Sequence, residues 1–431
     1  MTGKWNYLPL TQKEQLIETE LAKRFASVPP VSQLLVERGV TSVEEADRFL
    51  HPQLKNLHNP FLLPDMDKAV ERLNRAMGSK EKIMVYGDYD VDGTTAVALV
   101  YKYLQNFYSN IDYFIPTRYE EGYGISSETI DDFARQGVKL VIILDCGIKA
   151  NVEIAHAREH GIDFIICDHH VPDDELPQAV AILNPKMPGS TYPCPHLSGC
   201  GVGYKLMQAF SISNGIPQAD LEGMLDLVAV SIAADIVPMV DENRVMTFYG
   251  LRRLNSNPNM GLRAIIRICG LTGKEITISD VIFKIGPRIN ASGRMQSGRE
   301  AVDLLVSRDI TDAYQKARNI DQYNKDRKEL DRRITEEANA ILSQRIEAGS
   351  NKKSIVIFNK DWHKGIIGIV ASRLTELYYK PSVVLTLSNG LATGSSRSVQ
   401  GFDIYAAVDS TRDLLENFGG HTYAVGLSLK E

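Results

Sequence analysis

The chain has 431 residues, 44% of them hydrophobic and 24% charged, a composition that suits a soluble globular protein of roughly two or three domains. Its formal net charge of −6 excludes a global positive field, so any polyanion must be held by a local basic patch. No run of about 18 apolar residues occurs and the opening MTGKWNYLPL has no stretch of signal-peptide length; with five cysteines and no CxxC pair, the expectation is a cytoplasmic protein with free thiols and no membrane contact.

Residues 1–75 read as short helices punctuated by proline, one of them opening on Ser42 with Glu44 and Glu45 in its first turn and ending near Leu50. From Lys82 the pattern changes. Ile83–Tyr86, Tyr113–Ile115, Leu140–Leu144 and Phe164–Cys167 are short apolar runs, separated by helical patterns near 94–107, 126–136 and 151–160. Strands alternating with helices predict a parallel sheet covered on both faces, with ligands beyond the C-terminal strand ends. The charged stretch 312–346 predicts one long, solvated helix. A second strand–helix unit follows: a strand near Ser354–Phe358, a helix near Ile366–Tyr378, and strands near Val383–Leu387 and Leu391–Thr393.

The acids fall at strand ends. Ile83–Tyr86 runs into Asp88-Tyr89-Asp90-Val91-Asp92-Gly93, Leu140–Leu144 into Asp145, and Phe164–Cys167 into Asp168-His169-His170, while Asp235 follows the apolar run Val228–Ala234. A lone aspartate in such a place is usually a cap or a turn former. A buried set repels itself unless a cation neutralises it. Oxygen ligands with one or two imidazoles suit Mn²⁺ or Mg²⁺, and two such ions about 4 Å apart can clamp a phosphodiester in displacement. Adjacent His169 and His170 point opposite ways on an extended strand, so one is a ligand and the other a supporting or substrate-facing group. A calcium loop fits Asp88, Asp90, Asp92 and Gly93 but fails at its twelfth position, Leu99. A phosphatase with an aspartyl nucleophile would not call for the downstream Asp-His-His.

YGDYDVDGTT, LDCG, CDHH and ADIVP resemble the four ordered motifs of the DHH phosphoesterases. LSGCGVGYK, GPRINASGRM, WHKGIIGIVASRL, GSSRSVQGFDI and GGHTYAVG narrow the resemblance to the RecJ-type 5′-to-3′ single-stranded DNA exonucleases, as does LLVERGVTSVEEADRFLHP. The resemblance implies an α/β fold: a parallel-sheet DHH domain joined by a long helix to a smaller α/β DHHA1 domain. The corresponding expectation is an N-terminal helical segment over 1–75, the DHH domain over 76–250, connecting helices over 251–350 and a DHHA1 domain from 351 to 431. Such proteins normally continue into an oligonucleotide-binding domain, which this sequence does not reach, so it reads as C-terminally shortened. Cys200 and Val425 depart from the family pattern without removing a functional group.

Carried over residue by residue, the resemblance implies Asp90, Asp92, Asp145, His169 and Asp235 as ligands of two ions, Mn²⁺ or Mg²⁺, with Asp145 as the bridge. Asp88, Asp168 and His170 are supporting candidates, Asp88 also as a ligand and His170 within the catalytic set. For the substrate, Arg288, Asn290 and Arg294 in GPRINASGRM, Arg373 on a predicted helix, and Arg397, Gly420 and His421 in or near a flexible glycine loop are candidates for phosphate contact. Each has a plainer alternative: a surface arginine, or a tight turn with an exposed histidine. Trp362 is a stacking platform or a core residue, and Cys194, His196 and Cys200 lack the paired spacing of a zinc site. The expected activity is hydrolysis of single-stranded DNA from its 5′ end to mononucleotides in repair and recombination, with single-strand-binding protein as a family-level partner. The alternatives are a small-substrate phosphoesterase acting on short oligonucleotides or nucleotide 3′-phosphates, and a non-catalytic replication scaffold.

Overall fold

The computed structural model describes residues 9–26, 29–117, 124–347 and 352–430. The opening stretch read for an export signal lies, in its residues 1–8, outside the described residues.

Five parallel strands form the first sheet: β1 (Lys82–Gly87), β2 (Ile111–Phe114), β3 (Val138–Leu144), β4 (Asp163–Cys167) and β5 (Ala181–Leu183), in the order β2-β1-β3-β4-β5. The strands are apolar on both sides because both sides are covered. Leu140, Ile142 and Leu144 of β3 enter one core with the helices Val91–Leu104, Gly199–Ser213 and Leu225–Asp235. Val141 and Ile143 enter a second core under the helices Ser127–Arg135 and Asn151–Glu159. The chain leaves β1 in one direction to β2 and returns to the other side of β1 as β3. The order therefore reverses between β1 and β3, where a crevice opens at the strands' C-terminal ends.

The helix expected near Leu50 is Val43–Leu50, with the Ser42 side chain accepting from the Glu45 N–H. It packs with Gln12–Phe25 and Pro29–Glu37 around Leu21, Leu35, Val36, Val40 and Ala46, a small core of their own. The expected boundary at 75 falls inside the helix Met66–Gly78, whose Leu73 and Ala76 belong to the main core. The boundary at 250 likewise cuts the helix Asp241–Ser256, where a Cβ on Gly250 would lie 2.2 Å from the Leu225 carbonyl oxygen.

The long helix runs from Ile310 to Glu347 and joins the two domains as expected, but one stripe of it is buried where a solvated helix was expected. Ala313, Ala317 and Ile320 are buried in the main core, then Ile334, Ala338 and Leu342 in the core of the second domain. One stripe at helical spacing thus joins two cores. The second sheet holds β6 (Ile355–Phe358), β7 (Ser382–Ser388), β8 (Leu391–Arg397), β9 (Asn417–His421) and β10 (Ala424–Leu429), in the order β6-β7-β8-β10-β9. Only the β6–β7 pair is parallel. The helix Lys364–Tyr378 packs between this sheet and the long helix. The glycine loop expected at 419–421 is instead strand β9. Gly420, at φ 151, faces Val425 so closely that a Cβ would sit 2.2 Å from the Ala424 oxygen. Glycine is there for strand packing. No helix among the described residues is long and apolar enough to cross a membrane.

Candidate metal centre

The acids meet at the crevice between β1 and β3. After β1 the chain turns through Asp88, Tyr89 and Asp90 into the helix Val91–Leu104, with Asp90 as its cap, accepting from the Gly93 N–H at 3.0 Å. Gly93 is required here, because a Cβ would lie 2.3 Å from the Asp88 carbonyl oxygen. The capping role and a ligand role for Asp90 coexist, since a carboxylate has two oxygens. Asp92, one residue into the helix, is held by three donors: the Gly199 N–H at 2.7 Å, the Cys200 N–H at 2.8 Å and the Ser231 hydroxyl at 2.6 Å. The first two belong to the N-terminus of the helix Gly199–Ser213, whose dipole favours an anion.

Asp145 stands just past β3 in the left-handed region at φ 61, its N–H tied to the Cys167 carbonyl at 2.9 Å. A Cβ on Gly199 would lie 2.7 Å from Asp145 Oδ1, so a glycine there leaves room for the carboxylate. His169 Nε2 lies 3.2 Å from Asp145, 3.6 Å from Asp235 and 3.7 Å from Asp92. Donor atoms of Asp88, Asp90 and Asp145 lie within 4.8 Å of one another, as do those of Asp92, His169 and Asp235, and those of Asp145, His169 and His170. Asp145 is the acid common to two of these groups. His170 takes the other part: its Nδ1 is 2.7 Å from Asp168 Oδ1, and its ring remains 45% exposed. Asp168 also accepts the N–H groups of Ile148, His169 and His170.

Burial, then repulsion from neighbouring acids, raises the pKa of Asp90 and takes Asp145 well above the carboxylate range. The same causes push Asp235 up to about 7. Burial lowers His169, which favours the neutral imidazole that binds metals. Asp168 moves down despite its burial, because His170 bonds and charges it; His170 moves up for the reciprocal reason. The set is therefore self-repelling with its protons off, and the buried Nδ1 of His169 has no hydrogen-bond partner. Carboxylate oxygens with one imidazole fit hard divalent cations such as Mn²⁺ and Mg²⁺.

The substrate candidates fall elsewhere, and several are occupied. GPRINASGRM forms the helix Gly286–Met295. Asn290 Oδ1 accepts the Val91 N–H at 3.1 Å, and Cβ atoms on Gly293 and Gly298 would press within 3 Å of Tyr89. This segment therefore clasps the acidic loop, a role that its sequence did not announce. Arg288 pairs with Asp321 at 2.9 Å and donates to the Lys284 carbonyl. Arg294 reaches the Gly365 carbonyl at 3.3 Å, linking the two domains. Arg373 makes a two-pronged pair with Asp331, both contacts at 2.8 Å, and its side chain stays 55% exposed. Arg397 donates to Ser395 and to the Ser396 carbonyl. Arg397 and His421 both stand in register with Ala424, on strands either side of β10. Trp362 is a core residue, 4% exposed, with its indole N–H on Glu337. Cys194, His196 and Cys200 form no metal-ligand group among the described residues.

The model of the DHH family, N-terminal domain, matches residues 82–232, and that of the DHHA1 domain matches residues 351–431. The single-stranded-DNA-specific exonuclease RecJ of Bacillus subtilis (strain 168) is 39% identical over 95% of this chain, which spans only 51% of that protein. The protein of the same name from Salmonella typhimurium (strain LT2) is 35% identical over 96% of this chain, and 74% of its length is covered. The crystal structure of RecJ from Thermus thermophilus in complex with Mn²⁺ superposes with a TM-score of 0.82 at 28% identity, covering 96% of this chain and 58% of that one. With both domain models matched in order and a relative 35% identical covered over 74% of its length, the chain belongs to the RecJ family of DHH–DHHA1 proteins.

Proposed function

We propose that this chain is the catalytic core of a metal-dependent exonuclease that hydrolyses single-stranded DNA from its 5′ end to mononucleotides. The observation that carries this is the convergence of Asp90, Asp92, Asp145, His169 and Asp235 on one crevice, a set of mostly buried donors close enough to share cations. The relatives' names as single-stranded-DNA-specific exonucleases and the Mn²⁺ complex of one of them support the reading.

In it, those five residues, with Asp88, would hold two ions, Mn²⁺ or Mg²⁺, Asp145 being the acid that the ligand groups share. When bound, the ions polarise the phosphodiester and lower the pKa of an attacking water. The chain's own groups do the positioning. Asp92 is locked by the Gly199 and Cys200 N–H groups and by Ser231, so its oxygens cannot turn away from the crevice. Asp168 fixes the half-exposed His170 ring and raises its pKa, which favours the cationic form that a phosphate oxygen would meet beside the acids. Arg294, Arg397 and His421, reached from the second domain's side, extend the phosphate contacts along the strand, and Arg288, Arg373, Asn290 and Gly420 hold the surfaces that present them. The domain built on the parallel sheet then acts as the catalytic unit and the one built on the second sheet as the unit that retains the DNA, within a repair or recombination role.

A strand labelled at its 5′ end tests the proposal. With Mn²⁺ the label should leave as a mononucleotide from long single strands, and a blunt duplex should remain intact. Equal digestion of duplex, or turnover confined to dinucleotides, would defeat it, the second outcome by pointing to a small-substrate phosphoesterase.

The raised carboxyls also set a pH dependence. Asp235 titrates at about 7, above the ordinary 3.8, so below that pH it carries a proton that a metal must displace. Apparent Mn²⁺ affinity should therefore rise with pH from 6 to 8, by up to about tenfold per unit for each proton released. Calorimetry in buffers of different ionisation enthalpy measures this; the same affinity at pH 6 and pH 8 would contradict it.

A further inference from the structure

A second group of metal-binding side chains lies away from the acidic crevice. Asp131 is on the helix Ser127–Arg135, His156 is on the helix Asn151–Glu159, and His160 caps the latter's C-terminus. Both helices cover the same outer face of the parallel sheet through Ile130, Phe133, Ile154 and Ala157. The helix carrying the histidines runs back from the C-terminal end of β3 to the N-terminal end of β4. Its last turn therefore lies at the end of the sheet opposite Asp145 and the strand ends that bear the other acids.

The geometry there is convergent. His156 Nε2 lies 2.8 Å and His160 Nε2 3.3 Å from the same atom, Asp131 Oδ1, and one ligand atom from each residue falls within 4.8 Å of the others. The two imidazoles are four residues apart, the helical spacing that presents both on one face. Their centroids are 4.8 Å apart with planes at 76°, so the rings meet edge-on and do not stack. Around a tetrahedral ion with bonds of about 2.0–2.1 Å, neighbouring ligand atoms stand roughly 3.3–3.4 Å apart. The His160–Asp131 separation already has that value, and the His156–Asp131 separation needs an opening of only about half an ångström. All three side chains are between 29% and 43% exposed, which leaves a fourth position for water. Hydrogen bonding from His156 holds the Asp131 carboxyl below the usual range, so it is ionised at neutral pH.

We propose that Asp131, His156 and His160 form a second metal site, specific for a borderline transition ion of the Zn²⁺ class, that clamps these two helices together on the outer face of the sheet. Two imidazoles and a single carboxylate discriminate in favour of Zn²⁺ over Mn²⁺ or Mg²⁺, the reverse of the oxygen-rich crevice. The ion would replace the His–Asp hydrogen bonds, and its contribution would be mechanical: a cross-link between neighbouring helices whose other contacts are apolar.

The test compares the full chain with His156→Ala, His160→Ala and Asp131→Asn, using Zn²⁺ alone as the probe. Because Zn²⁺ also enters carboxylate cages, the informative quantity is the difference between proteins in equilibrium dialysis with metal analysis. Wild type should bind one more equivalent than any of the three variants, or bind it at least about tenfold more tightly. Its thermal midpoint should rise with added Zn²⁺ by an increment that the variants lose. Asp131→Asn keeps the shape of the side chain and one accepting oxygen for the histidines, so its loss of the equivalent, in a variant whose melting without metal matches wild type, cannot be put down to misfolding. Equal stoichiometry and equal affinity in wild type and variants would overturn the proposal and leave an ordinary His–Asp ion pair.

Discussion

Asp145→Asn should yield a folded protein whose turnover of single-stranded DNA is lower by at least about a thousandfold. The substitution is chosen for the backbone. Asp145 sits at φ 61, a region that asparagine enters more readily than other L-residues, so the turn after β3 survives. The amide also matches the carboxylate in volume, and the space left by Gly199 still accommodates it. What changes is charge. Asp145 is the acid whose pKa is raised by Asp92, Asp90, Asp88 and Asp168 together, after burial itself. Without metal the wild-type carboxyl must either hold a proton or bear that repulsion, and the amide does neither, so the metal-free variant should be as stable as wild type or more so. Metal affinity should fall with activity, because the residue shared by two ligand groups is gone. Initial rates on a labelled strand, beside thermal melts with and without Mn²⁺, separate these effects. Turnover within tenfold of wild type would show that Asp145 is not a ligand.

The strand ends were legible for a physical reason. A buried parallel strand is apolar throughout, so an aspartate directly after such a run has to sit at the rim of the sheet, as Asp88, Asp145 and Asp168 do. Asp235 was harder to place, since the helix Leu225–Asp235 is buried on nearly every side and loses the periodicity that marks a helix. GPRINASGRM escaped a structural reading because proline, glycine and asparagine argue against a helix locally. Tertiary packing overrides them: Gly293 admits the Tyr89 backbone, and Asn290 accepts from a backbone N–H 199 positions earlier in the chain. The fate of the arginines was equally out of reach. Arg288 finds Asp321 and Arg373 finds Asp331 across 33 and 42 positions, and nothing in a stretch of surface charge says which pairs will close. Gly420 shows the converse error, a glycine read as freedom that the structure uses for close strand contact.

Lys205→Met should destabilise the chain by about 3–5 kcal/mol. Lys205 and Glu242 are both fully buried and their charges lie 2.8 Å apart. Burial alone would drive the lysine toward neutrality, and Glu242 opposes that. Around the pair, Lys205 also donates to the His58 carbonyl at 2.6 Å, while Glu242 accepts the His58 N–H at 2.9 Å and the Tyr192 hydroxyl at 2.5 Å. The network fastens the His58 segment, which leads from the N-terminal helices into the sheet, onto the helix Gly199–Ser213 that holds Asp92. Methionine fills similar space but leaves the Glu242 charge buried with two neutral donors, which is the costly half of a broken pair. The double variant Lys205→Met/Glu242→Leu removes both charges, so it should lose less than the single variant, a non-additivity that measures the pair itself. Urea denaturation of the four proteins of this cycle provides the numbers. A single-variant loss under about 1 kcal/mol would mean that water reaches the pair, since only a solvated charge tolerates the departure of its partner so cheaply.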